Sequence, residues 1–336
     1  VKTALKLALL IVGVGIFAAL VWQAGPAEVW SQLRGFGWKL LLFLLPSILM
    51  YLVDALAWRT CFREPPPMGF LRLFLVRMAG ESLNNTLPSA YMGGEPIKAL
   101  LLQREGISGA EGMASVIVAK TAMTVAQILF VLTGIACAGL ATQAEGNLPA
   151  LITGSLLCAV FAMAAMALAY AGQRYGLGRM LLGFSGRTGL LRDWIESQRE
   201  GLERMDETLG AFYRHDQRRF WISAGLFFLG WSCEVAEVAV FAWLLGIPLG
   251  LSALIAIGAL ATVVKAAGFF LPGSLGAQEG GNVLLFLGFG LTHVSAITFS
   301  ILRRFRELCW IGFGFSVLAV LGWPAAEASV SVSAAE

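Results

Sequence analysis

Two interruptions in long apolar stretches constrain this chain more than any other feature. The first reads Asn84-Asn85-Thr86-Leu87-Pro88-Ser89-Ala90-Tyr91-Met92-Gly93-Gly94-Glu95-Pro96-Ile97-Lys98, and the second Leu271-Pro272-Gly273-Ser274-Leu275-Gly276-Ala277-Gln278-Glu279-Gly280-Gly281. In each, a proline is followed by glycine-rich backbone and then by a glutamate seven residues on, Pro88 to Glu95 and Pro272 to Glu279. A cation stands 25 residues beyond each glutamate, Lys120 and Arg304. Seven residues before each proline is another ionisable group, Glu81 and Lys265, of opposite sign. Three coincidences at matched spacing point to an internal duplication. Asp54, 34 residues before Pro88, and Glu237, 35 before Pro272, extend the match upstream.

The surroundings of both breaks are built for a bilayer. Of the 336 residues 58% are hydrophobic and 13% charged, against about 25% charged in a soluble domain. The formal charge of +3 says little about partners, and the expected partners are membrane lipids rather than nucleic acid. Cys61, Cys137, Cys158, Cys233 and Cys309 are scattered singly, so they read as buried thiols and not as a disulfide framework or a metal site. His215 and His293 are too few for a histidine cluster, so no metal is expected.

In chain order, Lys2 and Lys6 precede an apolar run over residues 7–22, read as a retained first span rather than a cleaved signal peptide. A linker with Glu28, Arg34 and interfacial aromatics leads to a span over 38–58. Arg59 and Arg63 put the end of that span, and with it the N-terminus, in the cytoplasm. Residues 68–104 and 251–290 are expected to be re-entrant helix–break–helix hairpins. Non-helical backbone at membrane depth survives only where protein buries it or water wets it. Pro88, Gly93, Gly94, Pro272, Gly273 and Gly276 make the breaks. Glu95 and Pro96 suit the first turn of the returning half-helix, where proline costs no hydrogen bond and a carboxylate suits the dipole. Ser108 and Glu111 form a capping box opening a run to about residue 140, and 149–171 is a clean span. The one soluble piece, 172–219, is amphipathic through Leu190, Leu191, Trp194, Ile195, Leu202, Met205, Leu209 and Phe212, and reads as a cytoplasmic surface helix. Spans resume over 220–245 with Glu234 and Glu237 inside, and over 293–323 with Arg303, Arg304, Arg306 and Glu307. Residues 324–336 read as a disordered tail. The reading is an all-α polytopic bundle with membrane subdomains at 1–171 and 220–323. The two hairpins face opposite ways, as in transporters built from inverted repeats with broken helices.

An ionisable residue at membrane depth costs at least about 2.5 kcal/mol on insertion scales, so each such residue is a functional candidate. Glu95, Lys120, Glu279, Arg303 and Arg304 are the leading translocation residues, with Glu81, Lys265, Asp54 and Glu237 behind them. The bland alternative is mutual neutralisation, Glu95 or Glu81 with Lys120, and Glu279 with Lys265 or an arginine. Enzyme readings fare badly: Ser295 lies two residues from His293, a spacing that diverges on a helix, and no acyl-transfer motif surrounds His215-Asp216. A G-x-x-x-x-G-K-[ST] phosphate loop is absent, and no cofactor is expected.

Leu87-Pro88-x-x-x-x-Gly93-Gly94-Glu95-Pro96-x-Lys98 and Leu271-Pro272-Gly273-x-x-Gly276-x-x-Glu279-Gly280-Gly281 resemble the signatures of the lysylphosphatidylglycerol synthase transmembrane (flippase-domain) family. Val53-Asp54-Ala55-Leu56-Ala57-Trp58-Arg59 and Leu302-Arg303-Arg304-Phe305-Arg306-Glu307-Leu308 are similar to its hopanoid-biosynthesis-associated branch. The resemblance covers about residues 5–323. It implies a lipid translocator of the bacterial inner membrane, a flippase with re-entrant helices that moves a phospholipid, an aminoacylated lipid or a hopanoid. The full synthases append a soluble aminoacyl-transferase domain not seen in this sequence, so no lysyl-lipid synthesis is implied. The alternative is a non-catalytic scaffold for hopanoid-biosynthesis enzymes, docking through 172–219.

Overall fold

The computed structural model describes residues 18–86, 93–140, 148–178, 180, 182, 198–267, 274 and 276–322. Pro88, Pro272, Gly273, Leu190, Leu191, Trp194, Ile195, most of the expected first span and the tail lie outside these residues. The described chain is helical throughout: α1 Pro26–Phe36, a 3-10 segment Gly37–Leu44, α2 Leu45–Arg59, α3 Phe70–Thr86, α4 Glu95–Arg104, α5 Gly109–Leu140, α6 Leu148–Tyr175, α7 Arg199–His215, α8 Gln217–Leu245, α9 Leu251–Ala267, α10 Ala277–Gly288 and α11 His293–Leu321. Among the described residues four helical stretches are long and apolar enough to cross a membrane: Pro26–Arg59, Gly109–Leu140, Ile152–Gln173 and Gln217–Leu245. This is an all-α polytopic membrane protein.

Local chemistry accounts for the element boundaries. Glu95 and Pro96 open α4 as the dipole and the missing N–H dictate. The Ser108 hydroxyl accepts from the Glu111 N–H at 3.2 Å ahead of α5. Thr292 caps α11 by accepting from the Ser295 N–H at 3.1 Å, which leaves His293 as its first residue. Gly246 closes α8 in the left-handed conformation, with φ 67°. Two expectations are corrected. The stretch before Trp38 is helix rather than linker: Pro26 starts α1, Glu28 and Arg34 complement its dipole, and Val29 and Phe36 are buried. The amphipathic helix α7 turns Met205, Leu209, Phe212 and Tyr213 onto α5 and α6, so its apolar face is covered by protein. Of the cysteines, Cys61 and Cys233 are buried, whereas Cys158 and Cys309 are exposed on the bundle surface.

The duplication is visible in the packing. The sets α2–α5 and α8–α11 correspond element by element, and their contacts are reciprocal. Helix α3 packs on α11, α9 packs on α5, and α2 and α8 pack on each other between them. Each pre-break helix therefore rests on the last helix of the other repeat. Within the first repeat α3 and α4 are antiparallel, with Asn84 meeting Glu95, Glu81 meeting Lys98 and Arg72 meeting Glu105. The limbs touch so closely that a Cβ on Gly94 would overlap the Gly80 carbonyl. In the second hairpin the close approach again involves a glycine of the post-break limb, and a Cβ on Gly281 would strike Val264.

Among the described residues most buried apolar side chains collect in two cores, with a small third cluster at Ala55, Phe74 and Met78. One is centred on Trp58, Leu73, Leu102, Leu209 and Phe227, the other on Phe43, Phe241, Leu260, Phe286 and Phe299. Helices α8 and α11 run through both. Phe220, Ala224 and Phe227 of α8 belong to the first core and Val238 and Phe241 to the second; on α11 Ile297, Phe299 and Leu302 belong to the second and Val317 and Leu318 to the first. The residues left in the middle are Glu234 and Glu237 on α8, and Arg303, Arg304, Arg306 and Glu307 on α11. The ionisable groups thus fall between the two cores.

Candidate functional site: a charged cavity between the repeats

The first repeat holds a continuous ionic chain. Arg77 on α3 donates to Asp54 on α2 at 2.7 Å and lies 3.8 Å from Glu81, one turn along its own helix. Lys98 on α4 bridges back, donating to Glu81 at 2.8 Å and lying 3.1 Å from a Glu95 oxygen. Lys120 on α5 completes the chain, 3.5 Å from Glu95. Asn84 ties the break to this chain: its amide donates to Glu95 at 3.0 Å and its oxygen accepts the Gly94 N–H at 2.7 Å.

The second repeat builds its chain differently. Arg304 on α11 donates to Glu279 on α10 at 2.7 Å and to Glu307 at 2.9 Å, and Lys265 on α9 donates to Glu307 at 2.8 Å. The free oxygen of Glu279 accepts the Gly276 N–H at 2.7 Å, so the start of α10 is already countered by its own carboxylate. Glu234 and Glu237 on α8 share Arg303 and Arg306, with Arg303 donating to Glu237 at 2.8 Å and Arg306 also paired to Glu237. Among the described residues the first network contains three acids and three bases, and the second contains four of each in two neutral clusters, so both are formally neutral.

Between the networks lies a cavity of about 300 Å³. Six helices line it, three from each repeat: α2 gives Tyr51 and Asp54, α3 Arg77, Glu81 and Asn85, and α5 Lys120 and Gln127; α8 gives Trp231 and Glu234, α9 Lys265, and α11 Arg303, Arg306 and Glu307. Its charged groups differ in access. The Lys120 and Lys265 side chains are 30% and 27% exposed, whereas Arg303, clamped by two glutamates, is 1% exposed.

Of the residues singled out from the sequence, Asp54, Glu81, Lys120, Lys265 and Arg303 line the cavity together. Glu95, Glu237 and Arg304 stand behind that lining as partners of Lys120, Arg303 and Glu307, and Glu279 stands one step further back, on Arg304. The pairings Glu95–Lys120 and Glu279–Arg304 form at equivalent places, while Lys265 turns to Glu307 and not to Glu279. Sequence reasoning passed over Arg77, Lys98 and Glu307 as site residues, and counted Glu234 and Arg306 only among the ionisable residues at membrane depth. The available signal was helical spacing: Glu81 is four residues from Arg77, Lys98 three from Glu95, and Glu307 three from Arg304.

Among proteins of known sequence, the chain is similar to a UPF0104 membrane protein of Methanothermobacter thermautotrophicus, at 24% identity over 324 residues, covering 93% of this chain and 94% of that one. The family model for the lysylphosphatidylglycerol synthase TM region matches residues 5–315. With that match spanning both helix–break–helix units and every charged group around the cavity, the chain belongs to the lysylphosphatidylglycerol synthase TM region family.

Proposed function

We propose that this protein is a lipid flippase or transporter of the bacterial inner membrane, moving a polar-headed lipid whose headgroup passes through the cavity while its tails stay in the bilayer. The observation that carries this reading is the cavity itself, which gathers nine charged side chains from both repeats inside an apolar bundle. A bundle needing only stability is served as well or better by apolar residues, since replacing buried ion pairs with well-packed hydrophobes is often neutral or stabilising. A volume of about 300 Å³ is at the low end for ligand pockets and suits a headgroup better than a whole lipid.

The breaks support the same reading. Helix α4 has 10 residues and α10 has 12, about 15–18 Å of helix, well short of the ~30 Å hydrocarbon core. Those lengths support a re-entrant reading of both hairpins. Arg59 at the end of α2 and Arg63 just beyond it support a cytoplasmic location for that end under the positive-inside rule. No reaction is assigned to the protein. Phospholipids, aminoacylated lipids and hopanoids are the candidate cargo classes.

The test is leaflet exchange of acyl-labelled lipids in proteoliposomes, with phospholipid and hopanoid-type probes and Lys120→Met as the variant. Exchange by the wild type that falls in the variant supports transport. If well-folded wild type moves no probe, with and without a proton gradient, an accessory scaffold becomes the better reading.

A further inference from the structure

The two repeats offer the cavity opposite charges from equivalent positions. Glu81 and Lys265 stand the same distance before Pro88 and Pro272, and both line the cavity. Each is held by an internal partner at 2.8 Å, Lys98 on Glu81 and Glu307 on Lys265. Each partner has a second tie of its own: Lys98 lies 3.1 Å from Glu95, and Glu307 lies 2.9 Å from Arg304. An incoming ammonium can therefore replace Lys98 on Glu81, and an incoming phosphate can replace Glu307 on Lys265, without leaving either displaced partner bare. Charge-assisted bonds formed this way match those given up. One exchange without the other adds a net charge to two networks that are each neutral.

We propose that the cavity takes a lipid headgroup of zero net charge that carries one primary ammonium and one phosphodiester, the ammonium on Glu81 and the phosphate on Lys265. This rests on the transport reading above and specifies its cargo. The pairs that line the rest of the cavity do not exchange in this way. Asp54–Arg77 and the Glu234, Glu237, Arg303 and Arg306 cluster are almost wholly buried.

The experiment uses the full chain in proteoliposomes with three acyl-labelled probes that differ only in headgroup: phosphatidylethanolamine, phosphatidylglycerol and lysylphosphatidylglycerol. Leaflet exchange is read by quenching from outside, a signal that free phosphodiesters in solution do not give. The neutral lipid is expected to move about tenfold faster than either charged one, because an uncompensated charge at membrane depth costs at least that much. Glu81→Gln leaves a surplus base and shifts preference toward phosphatidylglycerol; Lys265→Gln leaves a surplus acid and shifts it toward the lysyl lipid. Preference is a ratio within one preparation, so partial loss of folded variant does not move it, and the wild-type ranking stands without any variant. Equal rates for the three lipids, or shifts of both variants in one direction, overturn the proposal and leave transport standing. Failure of wild type to move any of the three, while hopanoid probes do move, overturns the proposal alone. Failure with every probe removes the transport reading and this one with it.

Discussion

Asp54 and Arg77 offer the cleanest test of how the charges are balanced, because the pair is simple, buried and joins two helices. The Arg77 guanidinium donates to Asp54 at 2.7 Å, with both side chains under a tenth exposed, so solvent screening takes little from the interaction. Asp54→Asn leaves Arg77 with Glu81 at 3.8 Å and the Phe227 ring at 5.7 Å. Breaking one side of a buried pair costs about 3–5 kcal/mol, and those residual contacts place Asp54→Asn near about 3. Arg77→Met removes the one ion-pair partner of Asp54 among the described residues and is expected to cost about the same or more. Asp54→Leu combined with Arg77→Met removes both charges and fills the space, which is often neutral or better. The sequence of stabilities is therefore wild type near the double variant, with both single variants well below. Unfolding in mild detergent by titration with a denaturing one, followed by tryptophan fluorescence, measures the cycle. A double variant as unstable as the two singles summed refutes the claim that charge compensation, rather than local shape, holds α2 to α3.

Three further outcomes follow from the same geometry. Gly281→Ala drives a methyl into Val264 and lowers the unfolding midpoint, and Val264→Ala in the same chain restores most of it; Gly280→Ala, which meets nothing within 4 Å, is neutral or slightly stabilising. Lys98→Met takes the nearest base from two buried carboxylates, leaving Glu81 with Arg77 at 3.8 Å and Glu95 with Lys120 at 3.5 Å, and costs about 3 kcal/mol, whereas Lys120→Met, at a half-open position, costs about 1 kcal/mol and acts mainly on lipid exchange. Lys265→Glu sets two carboxylates against each other at the Glu307 contact and destabilises the fold. Adding Glu307→Lys reverses the pair and recovers part of the loss in the same denaturation assay; recovery stays partial because Arg304 then faces a like charge.

The duplication itself was legible because its markers are short, rare and evenly spaced. Proline and glycine break apolar helices wherever they fall, so Pro88 and Pro272 set a register in which Glu95 matches Glu279 and Lys120 matches Arg304. Both of those pairs form. What that register hid is whatever differs between the copies. The position equivalent to Lys98 is Asn282, that equivalent to Glu307 is Met123, and that equivalent to Arg77 is Ala261. A search for matched residues discards all three charges, although Lys98 joins Glu81 to Glu95 and Glu307 joins Lys265 to Arg304. Helix α1 escaped for another reason: its Val29 and Phe36 are buried against residues far along the chain, and periodicity over 11 residues beside Gly25 and Pro26 is too short to announce a packed helix.

The unmatched charges explain how a duplicated cavity avoids repeating its own sign. Had both copies kept a carboxylate at the Glu81 and Lys265 positions, two like charges would line one small cavity, and each would need its own bridging base. A sign change at one position removes that conflict, and it requires a second change, since Lys98 would repel Lys265 if it too were repeated in the second copy. Asn282 stands in its place, its amide donating to Ser300 at 3.0 Å, and the acid that Lys265 needs comes from α11 as Glu307. Two substitutions, one lost base and one gained acid, thus accompany the inverted sign and keep each network neutral. The outcome is a cavity with an acid offered by one half and a base by the other, a polarity that exact repetition of one half could not have produced.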